Sequence, residues 1–591
     1  MTILTVLKTY AEERLELPPS MYGENTIAWL IELDDAGNFR GITPLKSKEA
    51  KRGQRFVTPH VGRTSAVKPK LLADTAEYVL GIRRPRSTSK PELERAEDCY
   101  HQFVALVKSC AENTQEPSVQ AISKFYESAN AVEEARQALQ AYKDFDAGEG
   151  VTFRIGGQLI PADARANLYS IEQFWQQYTG KQSESENGDD NPTMTCLVTG
   201  KKTVVAKRMP FMIKGLLGGQ TSGVAMVSAN AKAFTSYGLE YSLTSPMSAE
   251  AAEKFTKALN HLLRDEQSHL CVAETTYLFW TREKTTFDVM MFLTQPQADE
   301  VASLLKSVQT GQQATSFDAD RANLFYALAL RANNSRAVVC DWLETTIPNV
   351  QAQLKTWFEA QRLVSPMGGE PRFFSLYTLA ESLYRDREAA RREMPARVVT
   401  ALTRSALYGD RLPEDLLAKL VRRNCTERKL TYPRAVLLKL IFCRDKRRQS
   451  LMTNMHALNP NPSLEGADLA AYTCGRLLAL LEEIQRAALG SLNATLVDRY
   501  YGAASNTPAV AFPPLLRGAR AHLSKLRKEK GGAAKRLEET LEEVIAQLPT
   551  FPKTLNLQQQ GLFGLGYYHQ RAEQRRQAQV AKQSSVAMVD G

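Results

Sequence analysis

The sequence predicts an α+β protein in which a mixed N-terminal region carrying a glycine-rich loop module is followed by an all-helical C-terminal bundle. Three observations predict it. Short apolar alternations bounded by Gly, Asp and Asn recur through the first 350 residues. From about Gln351 onward the apolar positions recur at helical spacing instead. The 591 residues also exceed what one core organises, which calls for several domains. The expected segments are an α+β region with a basic loop over 1–195, the glycine-rich loop module over 196–350, a basic helical region over 351–455, and a helical bundle with a frayed tail over 456–591.

Leu4, Val6, Leu7 and Leu15 are interrupted by Lys8, Glu12, Glu13 and Arg14, the pattern of an amphipathic helix and not of a signal peptide. Residues 25–33 place Ile27, Trp29, Ile31 and Leu33 on one face and run into Asp34-Asp35-Ala36-Gly37-Asn38, which reads as a β-hairpin. A basic stretch with Lys46, Lys48, Lys51, Arg52 and Arg55 leads into residues 58–70, whose Pro59, Gly62 and Pro69 favour an extended loop. Helical periodicity covers 90–143. Residues 180–193 carry acids and small polar side chains without a large apolar one, so an exposed linker and a subdomain boundary are expected there. Strand-like runs broken by glycine follow over 196–238, and 274–280 is a further strand rich in β-branched and aromatic residues.

In the helical half, residues 401–450 hold Arg404, Arg411, Arg422, Arg423, Arg428, Lys429, Arg434, Lys439, Arg444, Lys446, Arg447 and Arg448 among few acids. Residues 471–490 place Leu477, Leu478, Leu481, Ile484 and Ala488 on one stripe, with Glu482, Glu483 and Arg486 outside it. Pro513 and Pro514 suit the first turn of the next helix. There Leu515, Leu516, Ala519, Leu523 and Leu526 share a face opposite Arg517, Arg520, Lys525, Arg527 and Lys528. The polar tail after about Gln577 reads as frayed.

Composition narrows the function. Lys and Arg number 75 against 65 acids, a net charge of +10, so positive charge has to cluster before it can serve a polyanion. Apolar runs such as 477–481 are far shorter than the ~20 residues that cross a bilayer, and a cytoplasmic protein without membrane contact is expected. The eight cysteines lack any Cys-x-x-Cys pair, so they read as free thiols and not as a zinc site. None of the seven histidines has the spacing of a metalloprotease helix, and Gly-x-Ser-x-Gly does not occur. The stretch from Gly215 to Gly223 lacks the Gly-Lys-Ser/Thr ending of a nucleotide-phosphate loop. No catalytic residue, metal or cofactor is expected. A metal-dependent nuclease built from scattered carboxylates is the alternative from another class.

Two segments fit nucleic-acid recognition. Gly215, Gly218, Gly219 and Gly223 follow Lys201, Lys202, Lys207, Arg208 and Lys214; such glycines let backbone approach a groove while cations meet phosphates. Gln220, Thr221, Ser222 and Asn230 are the types that read base edges, and amide and hydroxyl groups suit the coarse code of the minor groove. The same pattern equally serves a hairpin whose turns merely demand positive φ. Arg63, Thr64, Ser65, Lys68 and Lys70 form the second candidate, with Lys51 and Arg52 beside it as phosphate contacts, although a basic surface loop is also compatible with simple solvation. The faces over 401–450 and at Arg517, Arg520, Lys525, Arg527 and Lys528 read as phosphate tracks or as solubilising charge.

Many segments then appear in a familiar order: Met1-Thr2-Ile3-Leu4, the Trp29 strand, Arg63-Thr64-Ser65, Ala73-Asp74-Thr75-Ala76-Glu77-Tyr78-Val79-Leu80-Gly81 and Cys196-Leu197-Val198-Thr199-Gly200. Lys214-Gly215 to Gly223, Ser228-Ala229-Asn230, Phe234-Thr235-Ser236-Tyr237-Gly238, Asn493-Ala494-Thr495 with Asp498-Arg499-Tyr500, and Gln560-Gly561 with Gly566-Tyr567-Tyr568-His569-Gln570 continue it. Together they resemble the large subunit of the type I-C CRISPR Cascade complex. The resemblance implies a non-catalytic subunit that joins a CRISPR RNA, repeated backbone subunits and an RNA-processing subunit. It implies reading of the protospacer-adjacent motif in target double-stranded DNA, promotion of strand separation and R-loop formation, and recruitment of the helicase-nuclease. A purely architectural subunit that clamps guide RNA and neighbours is the alternative. The part from about Met452 or Met455 resembles the separately translated small subunit of that family, whose cationic faces would track the target or displaced single strand.

Overall fold

A computed structural model describes residues 2–61, 67–83, 90–160, 169–185, 192–229, 231–272, 274–307, 323–366, 370–444, 464–490 and 493–587. Arg63, Thr64, Ser65, Asn230, Met452 and Met455 therefore lie outside the described residues. The chain forms two compact units, one comprising Met1–Arg264 with Arg331–Val338 and the other Asp265–Leu330 with Val339–Gly591. The expected boundary after residue 195 falls inside the first unit, and the one after 455 falls in the undescribed stretch 445–463. The α+β character is as expected: among the described residues every strand precedes Ile347, and the elements from there on are helices.

In the first unit, helix Ile3–Arg14 is capped by Thr2, whose hydroxyl accepts the Thr5 amide at 3.2 Å. Strands β1 (Tyr22–Ile27), β2 (Trp29–Leu33), β3 (Phe39–Pro44), β4 (Gln54–Pro59), β5 (Asp74–Thr75), β6 (Gly150–Ile155) and β7 (Gln158–Ile160) follow. The expected hairpin is β2–β3, closed by Asp34, whose Oδ1 accepts the Ala36 and Asn38 amides. The run 25–33 is not one strand, however. It breaks at Ala28, sending β1 to pair with β4 while β2 joins the sheet β3-β2-β6-β5. Ile27 accordingly packs with Leu30 and Ala73, apart from the core of Trp29, Ile31 and Leu33. Glycine permits this crossing: a Cβ on Gly53 would stand 2.1 Å from the Ile27 carbonyl oxygen, and one on Gly150 2.3 Å from that of Thr26.

Strands β2 and β6 are parallel, so a long crossover must join them. Helices Lys90–Thr114, Pro117–Glu127 and Ala129–Gln140 lie in that crossover and contribute Phe103, Leu106, Val107, Ile122, Phe125, Val132 and Leu139 to the core shared with Trp29 and Phe153. The expected linker over 180–193 is helical at its start, because helix Tyr169–Ser185, anchored by the buried Trp175, extends into it.

The second unit holds a sheet of β10 (His269–Val272), β11 (Thr275–Thr281), β12 (Leu324–Asn333) and β13 (Arg336–Thr346), in that order, apart from the β12–β13 tip at 331–338, which belongs to the first unit. Helices Val289–Thr294 and Ala298–Ser307 lie between β11 and β12, and further helices follow β13. Helix Gly466–Leu489 is more deeply buried than an amphipathic stripe requires. Glu482, expected outside, is 4% exposed and accepts the Tyr567 hydroxyl at 3.0 Å and an Arg486 ion pair at 3.1 Å. After helix Leu496–Asn506, the helix that holds Pro513 and Pro514 begins at Pro508, six residues before Pro514, so both prolines expected in its first turn lie inside it. The tail expected to fray continues as helix Leu557–Ala587. No helix among the described residues is long and apolar enough to cross a membrane.

Candidate nucleic-acid interface

The glycine-rich segment is a closed loop in the first unit. Ile213 and Val224 form an antiparallel bridge that ties its two ends, with reciprocal N–H to carbonyl bonds of 2.8 Å. Leu216 turns inward at 5% exposure and pins the near side, while Gln220, Thr221 and Ser222 are exposed at the far end. Gly219 and Gly223 donate amides to the Leu216 and Gln220 carbonyls at 3.0 and 2.9 Å, closing two successive turns; the first needs the positive φ of Gly218 (75°), and Gly223 (103°) leaves the second in the left-handed region. Gly223 is also sterically obligatory, since a Cβ there would lie 2.7 Å from the Met212 Cβ. The loop thus satisfies the turn reading and still presents its polar tip outward.

Neighbouring elements hold it in place. Val224 leads into Ala225, which pairs with the hairpin tip through the Ser335 carbonyl (2.8 Å) and the Ala337 amide (2.9 Å). The Arg336 guanidinium covers the Phe234 ring at 4.3 Å, and that of Arg208 covers Tyr241 at 4.6 Å. Cys196 to Lys201 form the turn between β8 (Thr193–Thr195) and β9 (Lys202–Val204), closed by the Gly200 amide on the Cys196 carbonyl at 2.8 Å. Lys201, Lys202, Arg208 and Lys214 are exposed, and Lys207 is half-buried.

The second candidate is placed differently. Lys51 and Arg52 are exposed in the turn before β4. Lys70 is committed to the fold: its ammonium donates to Asn25 Oδ1 at 2.7 Å and its amide to Asp74 at 2.8 Å. Lys68 is half-buried beside Tyr78, whose hydroxyl accepts its amide at 3.4 Å.

The 401–450 window is corrected most. Arg434, Lys439 and Arg444 are 3%, 1% and 7% exposed, so they are part of the interior and not of a phosphate track. Arg434 pairs with Glu427 at 2.6 Å and donates to the Ser382 carbonyl at 2.8 Å. Lys439 donates to the Arg362 carbonyl, and burial pushes its pKa down to about 8. Arg404 bridges Asp341 and Asp410. By contrast, helix Pro508–Glu529 keeps the expected division, with Ala519, Leu523 and Leu526 buried and Arg517, Arg520, Lys525, Arg527 and Lys528 exposed. Arg527 pairs with Glu538, and Lys525 lies 3.9 Å from Glu529.

Sequence reasoning used the segment 234–238 only as a family marker and missed its exposure. Tyr237 is 99% exposed and Phe234 48%. An aromatic followed by glycine within a polar loop was the available signal. Among the described residues no group of three or more His, Cys, Asp or Glu is placed to hold a metal ion.

These features define an α+β protein whose first unit presents a basic, glycine-bearing loop and whose second unit carries a cationic stripe on helix Pro508–Glu529. Residues 6–575 match the family model described as CRISPR-associated protein (Cas_Csd1), and the chain belongs to that family. Comparison with curated proteins gives no match.

Proposed function

We propose that the chain is the non-catalytic large subunit of a type I-C RNA-guided surveillance complex, reading the protospacer-adjacent motif in target double-stranded DNA and promoting strand separation and R-loop formation. The observation that carries this is the closed glycine loop, whose Gln220-Thr221-Ser222 tip is exposed in a segment that also exposes Lys201, Lys202, Arg208 and Lys214, in a member of a CRISPR-associated family. Guide pairing supplies most specificity in RNA-guided recognition, so the protein needs few base contacts. Mismatch at one base pair typically costs about 1–3 kcal/mol, and two or three contacts from the loop are enough to discriminate a short motif. In this reading the stripe at Arg517, Arg520 and Lys528 follows a single strand without reading it. Recruitment of the helicase-nuclease and contacts with CRISPR RNA, backbone, processing and small subunits belong to the same proposal.

The test is target-duplex binding by the assembled complex carrying Gln220→Ala or Asn230→Ala. A loss of motif preference with assembly intact is expected. Unchanged affinity and preference in both variants would remove the loop from motif reading, and a failure of assembly in both would favour the architectural role instead.

A further inference from the structure

We infer that Tyr237 is a base-stacking residue, placed to lie against an unpaired nucleobase of target DNA beside the glycine loop; this rests on the DNA-reading proposal above. The ring is 99% exposed, whereas the next most exposed large apolar side chain among the described residues, Val510, is 73% exposed. Its backbone is equally unusual. Tyr237 and Gly238 both take left-handed φ values, 53° and 73°, across the Ser236–Leu239 bridge, forming a two-residue tip. Tips of that kind favour Asn-Gly, because a residue with a bulky side chain pays strain at the first left-handed position. A tyrosine there adds strain and buries nothing, so neither turn geometry nor core packing accounts for it.

What the ring offers is two open aromatic faces on a short, fixed projection. The surrounding charge indicates the ligand. Between residues 201 and 241 the chain has six cations (Lys201, Lys202, Lys207, Arg208, Lys214 and Lys232) and a single acid, Glu240. The projection is tied to the loop through Phe234, which packs under Arg336, whose backbone in turn pairs with Ala225 just past the loop's closing bridge. A flat aromatic face in a cation-rich segment suits a nucleobase attached to a phosphate backbone, since every base has a π-face and stacking tolerates any sequence. Duplex bases are already stacked on both sides. The complementary ligand is therefore a base at the point where the strands part, next to a motif held by the loop.

The experiment uses the full chain and a forked DNA duplex with 2-aminopurine as the first unpaired base, with a fully paired duplex as control. Wild-type protein is expected to quench the 2-aminopurine on binding. Tyr237→Ala should abolish the quenching and weaken fork binding by about tenfold, within the range of one lost stack, while leaving paired-duplex binding unchanged. Tyr237→Phe and Tyr237→Trp should retain both properties. Because Tyr237 is solvent-exposed, its removal leaves the core intact, which circular dichroism checks.

Wild-type quenching and affinity in Tyr237→Ala would overturn the inference, as would a wild-type chain that does not bind the fork. If wild type prefers the motif and Tyr237→Ala is indistinguishable from it, stacking falls and motif reading stands. Tyr237-dependent quenching without any motif preference gives the reverse.

Discussion

Asn260 accepts the backbone amide of Lys214 on its Oδ1 at 2.8 Å, and its Nδ2 donates to the Met212 carbonyl at 3.1 Å, so one side chain grips both flanks of Ile213 where the glycine loop begins. Asn260 sits on helix Ala249–Arg264, whose buried face carries Phe255, Leu259 and Leu262, and it transfers that helix's rigidity to the loop. Asn260→Ala removes both bonds and should lower stability by about 1–2 kcal/mol, measured by urea unfolding. It should also blunt motif preference in the assembled complex more than total DNA affinity, because a loosened loop still presents its lysines. A variant with wild-type preference would show that the clamp does not position the tip.

The core of the helical unit depends on two glycines facing each other's helices. A Cβ on Gly475 would stand 1.9 Å from the Phe563 carbonyl oxygen, and one on Gly566 1.9 Å from that of Tyr472. Helices Gly466–Leu489 and Leu557–Ala587 therefore meet backbone to backbone, and a flexible side chain cannot yield to make room. Gly475→Ala or Gly566→Ala should cost more than the roughly 1–3 kcal/mol of ordinary overpacking. Gly502→Ala, where a Cβ meets nothing within 4 Å on helix Leu496–Asn506, should instead be neutral or mildly stabilising. Thermal melting of the three variants gives the comparison, and equal melting temperatures would refute the close crossing.

Lys439 makes stability depend on alkaline pH. Its pKa falls from 10.5 to about 8 on folding because burial disfavours the ammonium, so between those values the unfolded chain binds more protons than the native one. Stability from this group consequently rises as pH increases from about 8 towards 10.5, and the burial penalty is fully present below about 8. The whole window is worth on the order of 3 kcal/mol. Lys439→Met should flatten the rise in urea midpoint that the wild type shows between about pH 7.5 and 10. A wild-type slope unchanged in the variant would mean that Lys439 does not titrate in that range.

How much of this was legible follows from where each constraint originates. The face of helix Pro508–Glu529 was readable because its apolar and cationic residues alternate within the same few turns. The glycine loop was readable as a turn-bearing segment for the same local reason. Burial of Arg434, Lys439 and Arg444 was not, because the groups that satisfy them, Ser382, Arg362 and Gln353, lie 52 to 91 residues away along the chain. A basic helix in sequence looks the same whether it faces water or carbonyl groups. The break at Ala28 was hidden likewise, since glycines 53 and 150 permit it from a distance. The exposure of Tyr237 depends on a bridge between Ser236 and Leu239 that composition does not signal.

The stripe on helix Pro508–Glu529 makes a quantitative claim about salt. Arg517, Arg520 and Lys528 are exposed, and among the described residues no ion pair is recorded for them, whereas Arg527 and Lys525 each have a glutamate nearby. Cations that replace counterions on a single strand contribute about 0.7 each to the slope of log affinity against log salt. Replacing Arg517, Arg520 and Lys528 together by glutamine should therefore reduce that slope by about 2 for single-stranded DNA. Arg527→Gln should change it less, because an arginine already neutralised by Glu538 displaces few counterions from the phosphates. The substitutions lie on the face opposite Ala519, Leu523 and Leu526, so the unfolding midpoint should stay close to wild type. An unaltered salt slope in the triple variant would mean that the stripe is solubilising charge and that the strand takes another path.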